Sequence, residues 1–194
     1  MADAKEIEAF IKALSNKHCE LRRNAAEVLG NLGAKSAVPG LIKALDDSDK
    51  HVRWYAAEAL GKLGNKSAVP ALIKALSDSN FDVRHYAAEA LGDLGDTSAV
   101  PDLIKALSDS YWHVRRYAAV ALGKLGDKSA VPALIKALSD TDESSRWLAA
   151  DALRTLGVGE ADRIELNLFP DNWPRAGEFH KQPLEIVNSG VSPA

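Results

Sequence analysis

An all-α solenoid, a right-handed superhelix of stacked helical hairpins, is the fold class this chain predicts, and three observations carry it. The string VRxYAAxALGxLG occurs three times, at Val52 to Gly64, Val83 to Gly95 and Val114 to Gly126, with diverged copies at Leu21 to Gly33 and Ser145 to Gly157. The interval is fixed, since 83 − 52 and 114 − 83 both give 31 residues. A fixed period of that length marks a stacked-repeat architecture, in which each unit buries its apolar stripe only against its neighbours. Within every period two helical patterns alternate with two breaks, the layout of an αα-hairpin.

The first helix of the unit is clearest in SAVPALIKAL (Ser67 to Leu76), where Val69, Leu72, Ile73 and Leu76 recur at helical spacing. Ser67 reads as its N-cap. Pro39, Pro70, Pro101 and Pro132 fall in the first turn, where a missing N–H leaves no intrahelical bond unmade. The second helix runs from about His51 to Leu63. Laid out at about 100° per residue, Val52, Ala56, Ala59, Leu60 and Leu63 share one arc, with Trp54, Glu58 and Gly61 opposite. Gly64 suits a left-handed C-cap, and Gly61 suits close packing between helices.

The array opens with Ile7, Phe10, Ile11, Ala13 and Leu14, which match Val38, Leu41, Ile42, Ala44 and Leu45 one period later. It closes with the second-type helix Ser145 to Leu156, where Arg154 replaces the first glycine of LGxLG. Residues 1–157 are therefore expected to form the repeat array and 158–194 a non-repeat tail. That tail holds half of the prolines (Pro170, Pro174, Pro183 and Pro193), and RIELNLF (Arg163 to Phe169) alternates as a short extended segment would. Three uses are open for it: capping the last hairpin, lying in the chain's own groove, or reaching a neighbouring chain. Self-association through the tail or the solenoid ends stays open as well.

With 46% hydrophobic and 26% charged residues the chain sits far from the composition of disorder. A net charge of −3 gives no global attraction to nucleic acid or anionic lipid, so neither is an expected partner. The single cysteine, Cys19, excludes an internal disulfide framework and fits a reducing compartment. The opening MADAKEIEAFIKAL lacks the apolar region of a signal peptide, no run is long enough to span a membrane, and a cytoplasmic location is expected. None of His18, His51, His85, His113 and His180 is followed by the glutamate of an iron-holding His-Glu pair, and CxxC zinc spacing is impossible. His51 and His113 are equivalent positions two repeats apart, too distant to share a metal directly. No phosphate-binding glycine loop is present, and the glycines of LGxLG end helices. Neither catalytic residues, nor a metal, nor a cofactor are expected.

An aspartate precedes the repeated arginine by six residues, in Asp47/Arg53, Asp78/Arg84, Asp109/Arg115 and Asp140/Arg146, with Asn16/Arg22 in the first copy. Together with the helix pair and the AAxALGxLG segment, this spacing resembles the short HEAT-like repeat of phycobilisome-lyase-type proteins, over roughly residues 4–157. Artificial α-repeat binders built on that class are also similar. The resemblance implies an Asp–Arg ladder running from repeat to repeat, and a concave surface built by the second helices. It implies no single activity, because such folds host many functions.

Comparison among the copies separates positions that stacking dictates from positions it leaves free. One free position carries Arg23, Trp54, His85, Arg116 and Trp147; another carries Glu27, Glu58, Glu89, Val120 and Asp151. Just before the helix stand Cys19, Lys50, Phe81, Trp112 and Glu143, followed in two copies by His51 and His113. Neighbouring second helices about 10 Å apart would align these residues into columns, with Tyr55, Tyr86 and Tyr117 alongside. Trp, Tyr and Arg are the residues most enriched at binding hot spots. The aromatic, histidine and arginine positions, with Lys50, Glu58 and Val120, are thus the expected partner-binding surface. Lys50, Arg116 and the histidines are expected to make its centre mildly basic, with Glu58 and Glu89 interleaved. The function this supports is a protein- or peptide-binding scaffold that is not an enzyme. A bilin lyase or chaperone that binds a linear tetrapyrrole is the alternative implied by the resemblance. An engineered or recently duplicated binder is a further one, from the near-identity of the central copies.

Overall fold

The computed structural model describes residues 3–158. The expected extended segment and all three uses of the tail fall on 159–194 and lie outside the described residues. Among the described residues ten α-helices pair into five hairpins: α1 (Ala4–Ala13) with α2 (Cys19–Asn31), α3 (Val38–Ala44) with α4 (Lys50–Leu63), α5 (Val69–Ala75) with α6 (Phe81–Leu94), α7 (Val100–Ala106) with α8 (Trp112–Leu125), and α9 (Val131–Ala137) with α10 (Glu143–Thr155). Gly64, Gly95 and Gly126 close α4, α6 and α8 in the left-handed conformation, at φ +66°, +63° and +71°, as the LGxLG endings require.

The first helices start differently from the sequence reading. A 3-10 turn, Lys66–Ala68, precedes α5, so Ser67 lies inside that turn and is no N-cap. The capping oxygen comes from Asn65, which accepts from the Ser67 backbone N–H at 3.0 Å. Asp96 and Asp127 do the same for Ser98 and Ser129. Because the 3-10 turn already leads the chain in helical geometry, the cap moves back to the turn's own entrance.

Successive second helices pack on one another in the order α2, α4, α6, α8, α10, while each first helix packs on its own partner and makes no comparable contact with other first helices. The array is therefore narrowest along its second helices, whose outward side is the inner wall. Glycine sets the approach. A Cβ added at Gly30 or Gly92 would stand 2.8 or 2.9 Å from the Cα of Ala59 or Ala121, closer than real Cβ contacts come, and one at Gly61 would stand a tight 3.0 Å from the Cα of Ala90. Arg154 occupies that position on α10, and a further hairpin docked in the same register would meet its side chain. The predicted stripe of Val52, Ala56, Ala59, Leu60 and Leu63 is buried throughout, but Ala57 is fully buried too. A helix inside the stack is covered by its hairpin partner and by both neighbours, which a single stripe understates. At the N-terminal end the cover is missing: Leu21 is 48% exposed where its equivalent Val52 is 0%, and Leu32 is 41% exposed where Leu63 is 4%.

At the other end of the second helices runs the ladder. Arg53 Nε and Nη2 donate to the two oxygens of Asp78 at 2.7 and 2.9 Å, and Nη1 donates to the carbonyl of Asp47 at 2.9 Å. Arg22 with Asp47, Arg84 with Asp109 and Arg115 with Asp140 repeat the fork. Each aspartate also accepts a backbone N–H two residues on, from Asp49, Asn80, Tyr111 and Asp142. Burial pushes these carboxyls up, but the arginine forks and backbone donors outweigh it and hold them below their ordinary value. The ladder's contribution is thus present above about pH 4 and is lost as acid protonates the aspartates below it. These arginines are fully engaged in structure.

Two outcomes are expected in urea unfolding. Gly92→Val forces the α6 and α8 backbones apart and should lower stability by about 2 kcal/mol. Asp78→Ala strands a half-buried guanidinium and should lower it by a similar amount, about 2 kcal/mol; a neutral result at either site would show that the contact does not set the stacking.

Candidate functional site

The free positions of the second helices meet as one belt of rings along the inner wall. The Trp54 ring, on α4, lies 4.7 Å from Tyr55 and 5.0 Å from Tyr86 of the next repeat, with His51 at 6.0 Å. His85, on α6, stacks on Tyr86 at 4.3 Å and reaches Tyr117 of the following repeat at 4.1 Å. Trp54 and His85 therefore each touch the tyrosine of the next copy, which gives the tyrosine of the central copies a stacking role: Tyr86 and Tyr117 serve the stacking and line the wall at once. Further along, Arg116 sits 5.1 Å over the Trp112 ring, and Trp112 lies 3.5 Å from His113. Arg23 and Lys50 are exposed, whereas Trp54, Tyr55, Glu58, Phe81, His85, Trp112, His113, Arg116, Tyr117, Val120 and Trp147 are half-buried.

Sequence reasoning missed Tyr111. It stacks on Phe81 with ring centroids 3.9 Å apart and planes 5° from parallel, and it is 43% exposed. A signal was present. The equivalent position holds Asp49, Asn80 and Asp142, whose side chains cap α4, α6 and α10, but Tyr111 makes no cap hydrogen bond. A cap of that kind contributes about 1 kcal/mol, and this copy lacks it in favour of an aromatic ring.

The charge on the wall differs from the expectation. Burial, with His113 and Arg116 adding to it, pushes the His85 imidazole down to about 4, and burial and Arg116 lower His113 as well. A lowered value leaves both rings predominantly neutral near pH 7, so the expected basic contribution of these histidines is absent and positive charge rests on Arg23, Lys50 and Arg116. Burial pushes the Tyr86 phenol up to about 12. His85 and His113 come within 5.9 Å across adjacent repeats, a pairing the comparison of His51 with His113 overlooked. Among the described residues no group of three or more His, Cys, Asp or Glu could hold a metal ion. At one register in three consecutive repeats, Trp54 Nε1, His85 Nε2 and Arg116 Nε are buried with no hydrogen-bond partner. Buried polar atoms are nearly always satisfied, so three in a row need a reason.

Because the His85 value lies below the ordinary 6.5, the unfolded chain binds more protons than the native one between pH 6.5 and 4, and stability falls with acid across that window. An NMR titration of His85 should give a midpoint near 4, and His85→Gln should flatten the pH slope; a midpoint at or above the ordinary value would mean the ring is not sealed by its neighbours.

Comparison with known proteins places this wall in context. A chain in the complex of CpcE and CpcF of phycocyanin lyase from Nostoc sp. PCC7120 is similar at 33% identity and TM-score 0.74, over 82% of this chain and 68% of that one. Two engineered proteins are similar at 25% and 26% identity, both with TM-score 0.61, over 82% and 84% of this chain and 82% and 51% of theirs. A search of curated proteins finds no match. No helix among the described residues is long and apolar enough to cross a membrane. The family model for HEAT repeats matches residues 7–82 and 69–154, and the chain belongs to the HEAT-repeat family.

Proposed function

We propose that this HEAT-repeat chain is a binding scaffold without catalytic activity of its own, whose second-helix wall grips a segment of a protein partner. The observation that carries the reading is the ring belt. Residues that vary freely between copies (Trp54, His85, Arg116) run together along one wall with unsatisfied buried polar atoms, while the stacking residues beneath them barely change. A wall already fixed by stacking loses little entropy on association, and aromatic anchors supply most of the affinity.

A second reading is favoured by the 33% identity to the phycocyanin lyase complex. The wall would then bind a linear tetrapyrrole between its rings, with Arg116 as the cation for a propionate. His85 is predominantly neutral near pH 7 and would not assist it.

Panning a random peptide library on the full chain separates the readings. Peptides recovered on the parent should bind Trp54→Ala about 30-fold more weakly, roughly 2 kcal/mol, and a first-helix variant such as Lys74→Ala equally well. Because Trp54 also packs on Tyr55 and Tyr86, the chains are compared well below either melting point. Recovery that ignores Trp54 would remove the wall from the site. A saturable absorbance shift of micromolar biliverdin, lost in Trp54→Ala, would replace the scaffold reading with the tetrapyrrole one.

A further inference from the structure

The four interior ladder arginines Arg22, Arg53, Arg84 and Arg115 all hold a carboxylate, but the wall cations do not: among the described residues Arg23, Lys50 and Arg116 make no ion pair. Arg116 is the unusual one. Four residues after the free position, one helical turn on, the other copies place an acid: Glu27 after Arg23, Glu58 after Trp54, Glu89 after His85 and Asp151 after Trp147. After Arg116 that position is Val120. Arginine thus occurs twice at one structural position, once with an i,i+4 acid available to neutralise it and once without.

The surroundings of Arg116 are built from rings. Its guanidinium lies over Trp112 at 5.1 Å, Tyr111 immediately before Trp112 stacks on Phe81 with ring centroids 3.9 Å apart, and its Nε is buried with no acceptor. The charge is felt locally, since Arg116 is among the causes that hold His85 and His113 down. Where the same side chain is offered a carboxylate, as Arg53 is by Asp78, Nε and Nη2 both donate to it, at 2.7 and 2.9 Å.

We infer that Arg116 is the anchor for an aspartate or glutamate of the partner segment, with an apolar residue next to that acid lying on the Tyr111 and Trp112 rings. This rests on the reading of the inner wall as a partner surface. A carboxylate fits better than a phosphorylated side chain, because one guanidinium balances one negative charge, and the nearest other wall cations, Lys50 and Arg23, stand two and three repeats away. The acid completes in trans the i,i+4 arrangement that Val120 leaves open in this repeat, and the rings exclude water around the pair.

The peptides recovered by panning test it directly. They should be enriched in Asp or Glu beside an aromatic or aliphatic residue. Changing that acid to its amide, Arg116→Gln, or Val120→Glu in the full chain should each weaken binding about tenfold or more. The peptide change should have no further effect on the Arg116→Gln chain. Val120→Glu is the decisive variant, because it truncates no side chain and supplies an internal partner for Arg116, so a loss of binding with an unchanged melting temperature cannot come from a damaged fold. Peptides that need Trp54 but bind equally whether the acid, Arg116 or Val120 is changed would overturn the role of Arg116 and leave the wall standing. An absence of any Trp54-dependent peptide would overturn both.

Discussion

The stack depends on one approach: the point where a glycine near the end of α2, α4, α6 and α8 lets the alanine backbone of the next second helix come within about a carbon diameter. Without a Cβ at Gly61, α4 and α6 meet main chain to main chain, and nothing comparable joins the first helices. That asymmetry puts the second helices on the tight side of the array. At the opposite end of the same helices the Arg–Asp fork supplies the second constraint. A planar guanidinium bound to both oxygens of one carboxylate accepts a single orientation, so the ladder fixes rotation where the glycine fixes distance. Partly buried ion pairs of this kind add little net stability, and their part here is to set register.

Between those two constraints, on the same helix, lie the positions that stacking leaves free. Trp54 and Tyr55 fall between Arg53, which holds the ladder, and Gly61, which holds the contact. The proposed recognition surface is therefore placed on the most rigidly positioned element of the unit, as a preorganised site requires. Because Trp54 and His85 each pack on the tyrosine of the following copy, the belt is coupled across these central repeats. A change at Trp54 alters what Tyr86 rests against, and through Tyr86 it reaches His85.

The fold was legible because every signal recurs at one period: the buried stripe, the helix-starting prolines, the left-handed glycines and the Asp–Arg spacing. What escaped the sequence lies between copies. The six-residue Asp/Arg spacing reports only the bond from Arg53 Nη1 to the Asp47 carbonyl, while the carboxylate that defines the ladder belongs to Asp78, 25 residues further on. Ala57 falls outside the arc of the helical wheel yet is fully buried, because a wheel has no neighbouring repeats. The neutral state of His85 follows from desolvation by rings that belong to different hairpins, which no local pattern encodes. Tyr111 could have been found, since it breaks a capping rule that the equivalent positions of α4, α6 and α10 obey.

A wall that only had to be rigid would not hold Trp54, His85 and Arg116 with buried atoms left unsatisfied. Each such atom costs roughly 1–3 kcal/mol, and alanine or leucine at those positions would remove that cost. A solenoid tolerates the cost because its stability is a sum over units and interfaces, so a local loss is spread over neighbours instead of unfolding one central core. The cost also falls at a single register, in three consecutive repeats, at a position where the copies differ. Stacking and ladder chemistry occupy the constant residues of the 31-residue unit, and groups in need of a partner occupy the variable ones. That division is what a repeat protein gains by building from one unit: the surface can change from copy to copy while the contacts that hold the copies together stay the same.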